Sequence, residues 1–124
     1  MNIPFSPPDI TEEEIEAVAE VMRSGWITTG PKTKELERKM AEFTHTNRGV
    51  CLNSATSCME MALRLFEIGP GDEVIVPAYT YTASASVVCH VGATLRLVDV
   101  EKGTFHIDYA AVESMINENT KAII

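Results

Sequence analysis

The chain has 124 residues, the size of one ordinary domain. Hydrophobic residues make up 45% and charged residues 23%, which excludes a disordered chain, and no apolar run reaches the roughly 18 residues of a membrane-crossing helix. The 18 acidic and 10 basic side chains leave a net charge of -8, whose long-range field repels nucleic acid and anionic lipid. The opening Met1-Asn-Ile-Pro-Phe-Ser-Pro-Pro segment has neither the basic region nor the long apolar stretch of a secretory signal. Cys51, Cys58 and Cys89 are odd in number and contain no C-x-x-C, which argues against a disulfide framework or a zinc site. Buried, reduced thiols in a cytoplasmic protein are therefore expected. His45, His90 and His106 lie on separate elements without metal-ligand spacing.

Helices come first along the chain. Thr11-Glu-Glu-Glu14 is a capping box, in which Thr11 accepts from a backbone N–H and Glu14 reaches back. Ile15, Val18, Val21 and Met22 recur behind it at helical spacing, and Gly25 supplies a stop. Gly25 to Pro31 reads as a loop. A second helix is predicted from about Lys32 to Thr44, with Leu36, Met40 and Phe43 on its buried face.

Strands and helices then alternate. Gly49-Val-Cys-Leu52 reads as a short buried strand. A helix follows to about Phe66, with Met59, Ala62, Leu63 and Phe66 inward. Asp72–Pro77 is a second buried strand, Thr82–His90 a small-residue helix, and Ala93–Val100 a third strand. Asp108 is placed to cap a helix reaching about Ile116, with Ile107 and Val112 as a hydrophobic staple. Lys121–Ile124 opens a fourth strand. Four alternations point to an α/β protein with a mostly parallel sheet covered on both faces. The last strand has no exit turn, so the expected chain is the front part of a longer protein.

Three segments can carry chemistry. Asn53-Ser-Ala-Thr-Ser57 follows a predicted strand and opens a helix. Free N–H groups and a helix dipole converge there, small side chains admit an anion, and Thr56 or Ser57 can donate a hydroxyl. From spacing alone, the simpler reading is that Asn53 or Ser54 is only a cap. No G-x-G-x-x-G or G-x-x-x-x-G-K pattern accompanies it. Pro77-Ala-Tyr-Thr-Tyr-Thr82 leaves the carboxyl end of a strand, where open α/β sheets bind ligands. Tyr79 and Tyr81 there could face an aromatic ring or simply pack. Trp26-Ile-Thr-Thr-Gly30 suits either a binding loop or a helix connection pinned by one aromatic. Asp99 closes the third strand and could face the same carboxyl edge, although capping a turn is the more usual role of a strand-end carboxylate.

In combination, several motifs follow one another. They are Ser24-Gly-Trp-Ile-Thr-Thr-Gly-Pro31, Asn53-Ser-Ala-Thr56, Gly71-Asp-Glu-Val-Ile-Val-Pro-Ala-Tyr-Thr-Tyr-Thr82, Gly92-Ala-Thr and Val98-Asp-Val100. This order strongly resembles the amino-terminal part of the DegT/DnrJ/EryC1/StrS family of pyridoxal-phosphate (PLP) nucleotide-sugar aminotransferases. The resemblance runs from about Pro4 to the last residue. It implies the three-layer large domain of the aspartate-aminotransferase fold (fold type I), incomplete here. Residues 1–45 would be an amino-terminal helical segment with a substrate loop, and residues 46–124 the first βαβ units of the PLP-binding domain. It implies PLP as cofactor, a homodimer with shared active sites, and amino transfer from glutamate or glutamine to a keto sugar on a nucleotide. By position, Ala55 and Thr56 match residues that hold the cofactor phosphate, and Tyr81 matches the aromatic that stacks on its ring. Ser54 resembles a further cofactor contact, and Thr28 and Thr29 resemble substrate contacts.

The family's Schiff-base lysine and its pyridine-nitrogen aspartate have no match in this sequence and are expected beyond residue 124. The segment alone is therefore expected to be inactive. Two other readings stand beside the aminotransferase: a PLP-dependent sugar dehydratase of the same family, and a non-catalytic α/β domain that binds a phosphorylated ligand. Surface polysaccharide, lipopolysaccharide and antibiotic deoxysugar pathways are all compatible with the resemblance.

Overall fold

The computed structural model describes residues 3, 4 and 6–124. Met1, Asn2 and Phe5, part of the opening segment read for a leader, lie outside the described residues. The chain divides into two compact units, Met1–Cys51 and Leu52–Ile124.

The first unit holds α1 (Glu12–Ser24) and α2 (Pro31–Phe43). Thr11 and Glu14 form the capping box, with the Thr11 N–H donating to Glu14 Oε2 at 2.6 Å. The hydrogen bonds from Thr11 hold the Glu14 carboxyl below its ordinary range. Gly25 ends α1 at φ 73°, a left-handed backbone that glycine adopts without steric cost. Pro31 opens α2, where its missing N–H costs nothing because the first-turn N–H groups have no intrahelical acceptor.

The apolar faces of these helices differ from expectation. Leu36, Met40 and Phe43 are exposed, Phe43 to 80%, and only Ala41 of α2 is buried. Ile15, Val18 and Met22 of α1 are exposed as well. The helical period is present, but two helices of this length cannot enclose both of their own apolar stripes.

Gly49-Val-Cys-Leu52 is not a strand. Among the described residues it has no neighbouring ladder, and Val50 is exposed. A side chain instead holds its backbone: the Cys51 N–H donates to Glu37 Oε1 at 2.9 Å. Gly49 lies so close to α2 that a Cβ would meet the Glu37 carbonyl at 2.6 Å.

The second unit comprises α3 (Ala55–Leu65), β1 (Glu73–Pro77), α4 (Thr82–His90), β2 (Thr94–Val98), α5 (Tyr109–Met115) and β3 (Thr120–Ile123). The sheet order is β2-β1-β3, with both pairings parallel. Central β1 carries the apolar run Val74-Ile75-Val76, all fully buried. Alternation along the strand divides that run between two faces. Val74 and Val76 pack with Leu63 of α3 and with Val87 and Val88 of α4, whereas Ile75 packs with Val98 and with Val112 of α5. The unit is thus a three-layer α/β arrangement, and the reading of an α/β fold with a parallel sheet holds. Ile107 joins Val112 in the second cluster, as the staple requires.

Not every predicted inward residue is covered. Leu63 is buried and Met59 packs on the core, but Ala62 and Phe66 are exposed. The cysteines also depart from expectation. Cys51 is half-buried, and Cys58 and Cys89 are exposed, because each helical cysteine lies off the stripe that its helix turns to the sheet.

Polar groups join neighbouring elements within the layers. Arg96 and Asn117 both donate to the Glu73 carboxylate, at 3.1 and 2.9 Å. On α3, Glu60 accepts from Arg64 at 2.7 Å and meets His90 Nδ1 of α4 at 2.9 Å.

Two consequences are measurable. Ile75→Ala removes a fully buried side chain from the second cluster and is expected to cost about 3 kcal/mol, read as a lowered urea midpoint of the full-length protein. Hydrogen bonds from Arg64 and then His90 hold the Glu60 carboxyl below its ordinary 4.5. Its contribution to stability is therefore complete above that value and is lost as pH falls through the lowered one. The stability difference between the natural protein and Glu60→Gln is expected to shrink as the pH falls below 4.5.

Candidate active site

Chain direction collects the helix starts of the second unit. α3 ends just before β1 begins, with the Gly69 N–H bonded to Asp72 Oδ2 at 3.0 Å, so α3 runs antiparallel to the strand. α4 leaves the carboxyl end of β1 and returns to the start of β2. Both helices therefore open at the carboxyl edge of the parallel sheet, on the same face. Their amino-terminal N–H groups and the positive ends of their dipoles point to that edge.

Ser54 caps α3. Its hydroxyl accepts from the Ser57 N–H and donates to Ser57 Oγ, both at 3.1 Å, and Ser57 Oγ donates onward to Asn53 Oδ1 at 2.7 Å. The hydroxyl of Ser57, one of the two expected donors, is thus used within the cap. Among the described residues, the N–H groups of Ala55 and Thr56 and the hydroxyl of Thr56 have no hydrogen-bond partner. Ala55 is small enough to admit an anion onto these groups. This arrangement fits a phosphate: unsatisfied backbone donors, one hydroxyl and a helix dipole at a single point.

Tyr81 is the N-cap of α4 and is 81% exposed. The loop before it is anchored at both ends. The Ala78 N–H donates to the Val98 carbonyl at 2.7 Å, and the Ser84 N–H donates to the Tyr81 carbonyl at 3.0 Å. One face of the Tyr79 ring is taken up. The ring stacks on Phe105, with centroids 4.8 Å apart and planes at 25°. Periodicity gives no signal for Phe105, which stands in an irregular turn far along the chain. Asp99 accepts from the Val100 N–H at 2.8 Å and so caps the turn after β2.

The Trp26 loop belongs to the first unit. Trp26 Nε1 donates to the Thr29 carbonyl at 3.0 Å, which curls the loop onto itself. Gly30 is buried beneath the indole, and a Cβ there would meet Nε1 at 2.3 Å. Thr28, Trp26, Ile27 and Val21 line an open hollow of about 430 Å³ beside α1. The structure thus brings Ser54, Ala55, Thr56 and Tyr81 to one sheet edge of the second unit, while Thr28 and Thr29 share the first unit's loop.

Residues 8–124 match the DegT/DnrJ/EryC1/StrS aminotransferase family, and the chain belongs to that family. It is 44% identical over 122 residues to the UDP-4-amino-4-deoxy-L-arabinose–oxoglutarate aminotransferase of Shewanella sediminis (strain HAW-EB3). That alignment covers 98% of this chain and 31% of the relative. A Streptococcus pneumoniae protein described as a sugar aminotransferase, solved in apo, PMP and PLP forms, is 63% identical with a TM-score of 0.89. That match covers 99% of this chain and 31% of the other. An aminotransferase of Psychrobacter cryohalolentis, 34% identical with a TM-score of 0.84, is covered over 97% of this chain and 31% of its own. The chain thus spans about a third of the length of these relatives. The fold implied by the motifs is the one its structural neighbours share.

Gly30→Ala tests the loop. The Gly30 backbone, at φ -158°, is open to any residue, so the cost falls on the indole. The added methyl is expected to displace Trp26, break its bond to Thr29 and raise acrylamide quenching of the tryptophan. Far-ultraviolet circular dichroism is expected to be unchanged.

Proposed function

We propose that the complete protein is a PLP-dependent aminotransferase that moves an amino group from glutamate to a nucleotide-linked keto sugar. Residues 1–124 would supply the phosphate-holding and ring-stacking part of its cofactor site. The observation that carries this reading is the unsatisfied pair of N–H groups at Ala55 and Thr56, at the same sheet edge as the exposed ring of Tyr81. The family match and the PLP and PMP forms of the Streptococcus neighbour support it. The name of the Shewanella relative pairs a UDP-linked sugar with oxoglutarate, the keto acid that remains when glutamate gives up its amino group.

When bound, PLP supplies an electron sink and a carrier for the amino group. The residues of this chain bind and orient. The N–H groups of Ala55 and Thr56 and the Thr56 hydroxyl donate to the phosphate dianion. That attraction is local, so it operates in spite of the overall charge of -8. Ser54 contributes by holding the first turn of α3 in place rather than by donating its own hydroxyl. Tyr81 would cover one face of the cofactor ring and so limit its tilt. Thr28 and Thr29 are substrate contacts in this reading. The proposal includes a homodimer with shared active sites. The exposed apolar residues of α1 and α2 are surface for a second copy or other parts of the full-length chain to cover.

Full-length protein incubated with PLP and reduced with borohydride tests the reading by mass. One pyridoxyl phosphate per chain, mapped to a lysine beyond residue 124, is the expected result. PLP bound without a covalent adduct would favour the dehydratase reading, and no PLP binding would leave the non-catalytic domain. Thr56→Ala removes a donor to a charged group and is expected to weaken PLP binding roughly 10- to 100-fold, measured by absorbance titration.

A further inference from the structure

Two exposed aromatic rings meet where the loops after β1 and β2 leave the carboxyl edge of the sheet. Tyr79 is 65% exposed and Phe105 is 75% exposed, yet their rings stack. The turn that carries Phe105 is extensively hydrogen-bonded for a surface loop. Val100 and Ile107 form an antiparallel bridge. Within that bridge the Glu101 N–H donates to the His106 carbonyl at 2.9 Å and the Thr104 N–H to the Glu101 carbonyl at 3.0 Å. Gly103, at φ 83°, supplies the left-handed residue that closes the turn. The bridge seats Ile107 on the second core cluster, but Phe105 takes no part in that cluster. The same turn also holds the exposed Phe105 ring at a fixed place.

That place is beside the loop that carries Tyr81. The bond from Ala78 to Val98 holds its first residue, and the Tyr81 carbonyl, bonded to Ser84, holds its last. Between these anchors the ring of Tyr79 rests on Phe105. With the Thr80 hydroxyl also bonded to Ser84 Oγ at 3.1 Å, the short segment is held at four points, which leaves its end residue little backbone freedom. We propose that Phe105 is a positioning residue, which orders the Tyr79–Tyr81 loop through the Tyr79 ring and so sets the stacking face of Tyr81. This rests on the reading of Tyr81 as the ring-stacking residue of the cofactor site.

Hydrogen exchange of the cofactor-free, full-length protein is the first test, because it needs no PLP. In Phe105→Ala, the bonded amides that flank the loop, Ala78 (to the Val98 carbonyl) and Ser84 (to the Tyr81 carbonyl), are expected to exchange roughly 2- to 12-fold faster, the range that corresponds to the loss of one aromatic pair. In Phe105→Tyr, which keeps the ring, exchange is expected to be natural. Tyr79→Ala is expected to match Phe105→Ala, and the double variant to add nothing further, because both act through one contact. The second test is the visible circular dichroism of bound PLP, expected to weaken in Phe105→Ala and to recover in Phe105→Tyr. Unchanged exchange in Phe105→Ala, additive effects in the double variant, or failure of Phe105→Tyr to recover would each overturn the inference. Absence of PLP binding by the natural protein would overturn the proposed function instead, and the exchange comparison would still decide whether Phe105 orders the loop.

Discussion

Three consecutive side chains, Val74, Ile75 and Val76, are removed from solvent on both faces of one strand. A strand with both faces buried must be central and covered by two layers. β1 has α3 and α4 on the Val74 and Val76 face and α5 on the Ile75 face, with β2 and β3 alongside. Parallel pairing then dictates that each connecting helix returns from the carboxyl edge to the amino edge. That places the start of α4, and α3, which follows no strand among the described residues, joins it by packing on the same face and ending before β1 begins.

The chemistry of the site depends on donors the fold leaves without acceptors. The first turn of any helix has unpaired N–H groups, and at α3 the Ser54–Ser57–Asn53 chain of hydroxyl and amide satisfies only part of them. Unsatisfied donors in a mouth of small residues attract an anion without a lysine or arginine. A protein of net charge -8 can hold a phosphate in this way, because the interaction is short-ranged and geometric. The same edge carries an aromatic ring on a loop whose ends are held by main-chain bonds. In the proposed function, phosphate and ring contacts on separate helices would give two points of attachment, enough to orient a flat cofactor.

Local signals were legible wherever the residue type itself settled the geometry. Thr11 and Glu14 formed their capping box, Gly25 its left-handed stop, Ser54 and Asp108 their caps, and the small-residue helix spans Thr82–His90 as read. The buried run Val74–Val76 announced a central strand. Signals that depend on a partner were less reliable. Gly49–Leu52 has strand-like composition but no neighbour among the described residues, so Glu37 holds its backbone instead. Leu36, Met40 and Phe43 have the right period, yet nothing in the two-helix unit covers them.

The sequence by itself determined the caps, the turns, the order of elements and the motif order that marks the family, because each depends on neighbours a few residues away. Only the tertiary structure decided that Tyr79 stacks on Phe105, and that the thiols of Cys58 and Cys89 face outward. Those outcomes depend on groups distant in sequence meeting in space or on which helix face turns to the sheet. Periodicity along one segment carries no information about the partner that another segment will bring to it.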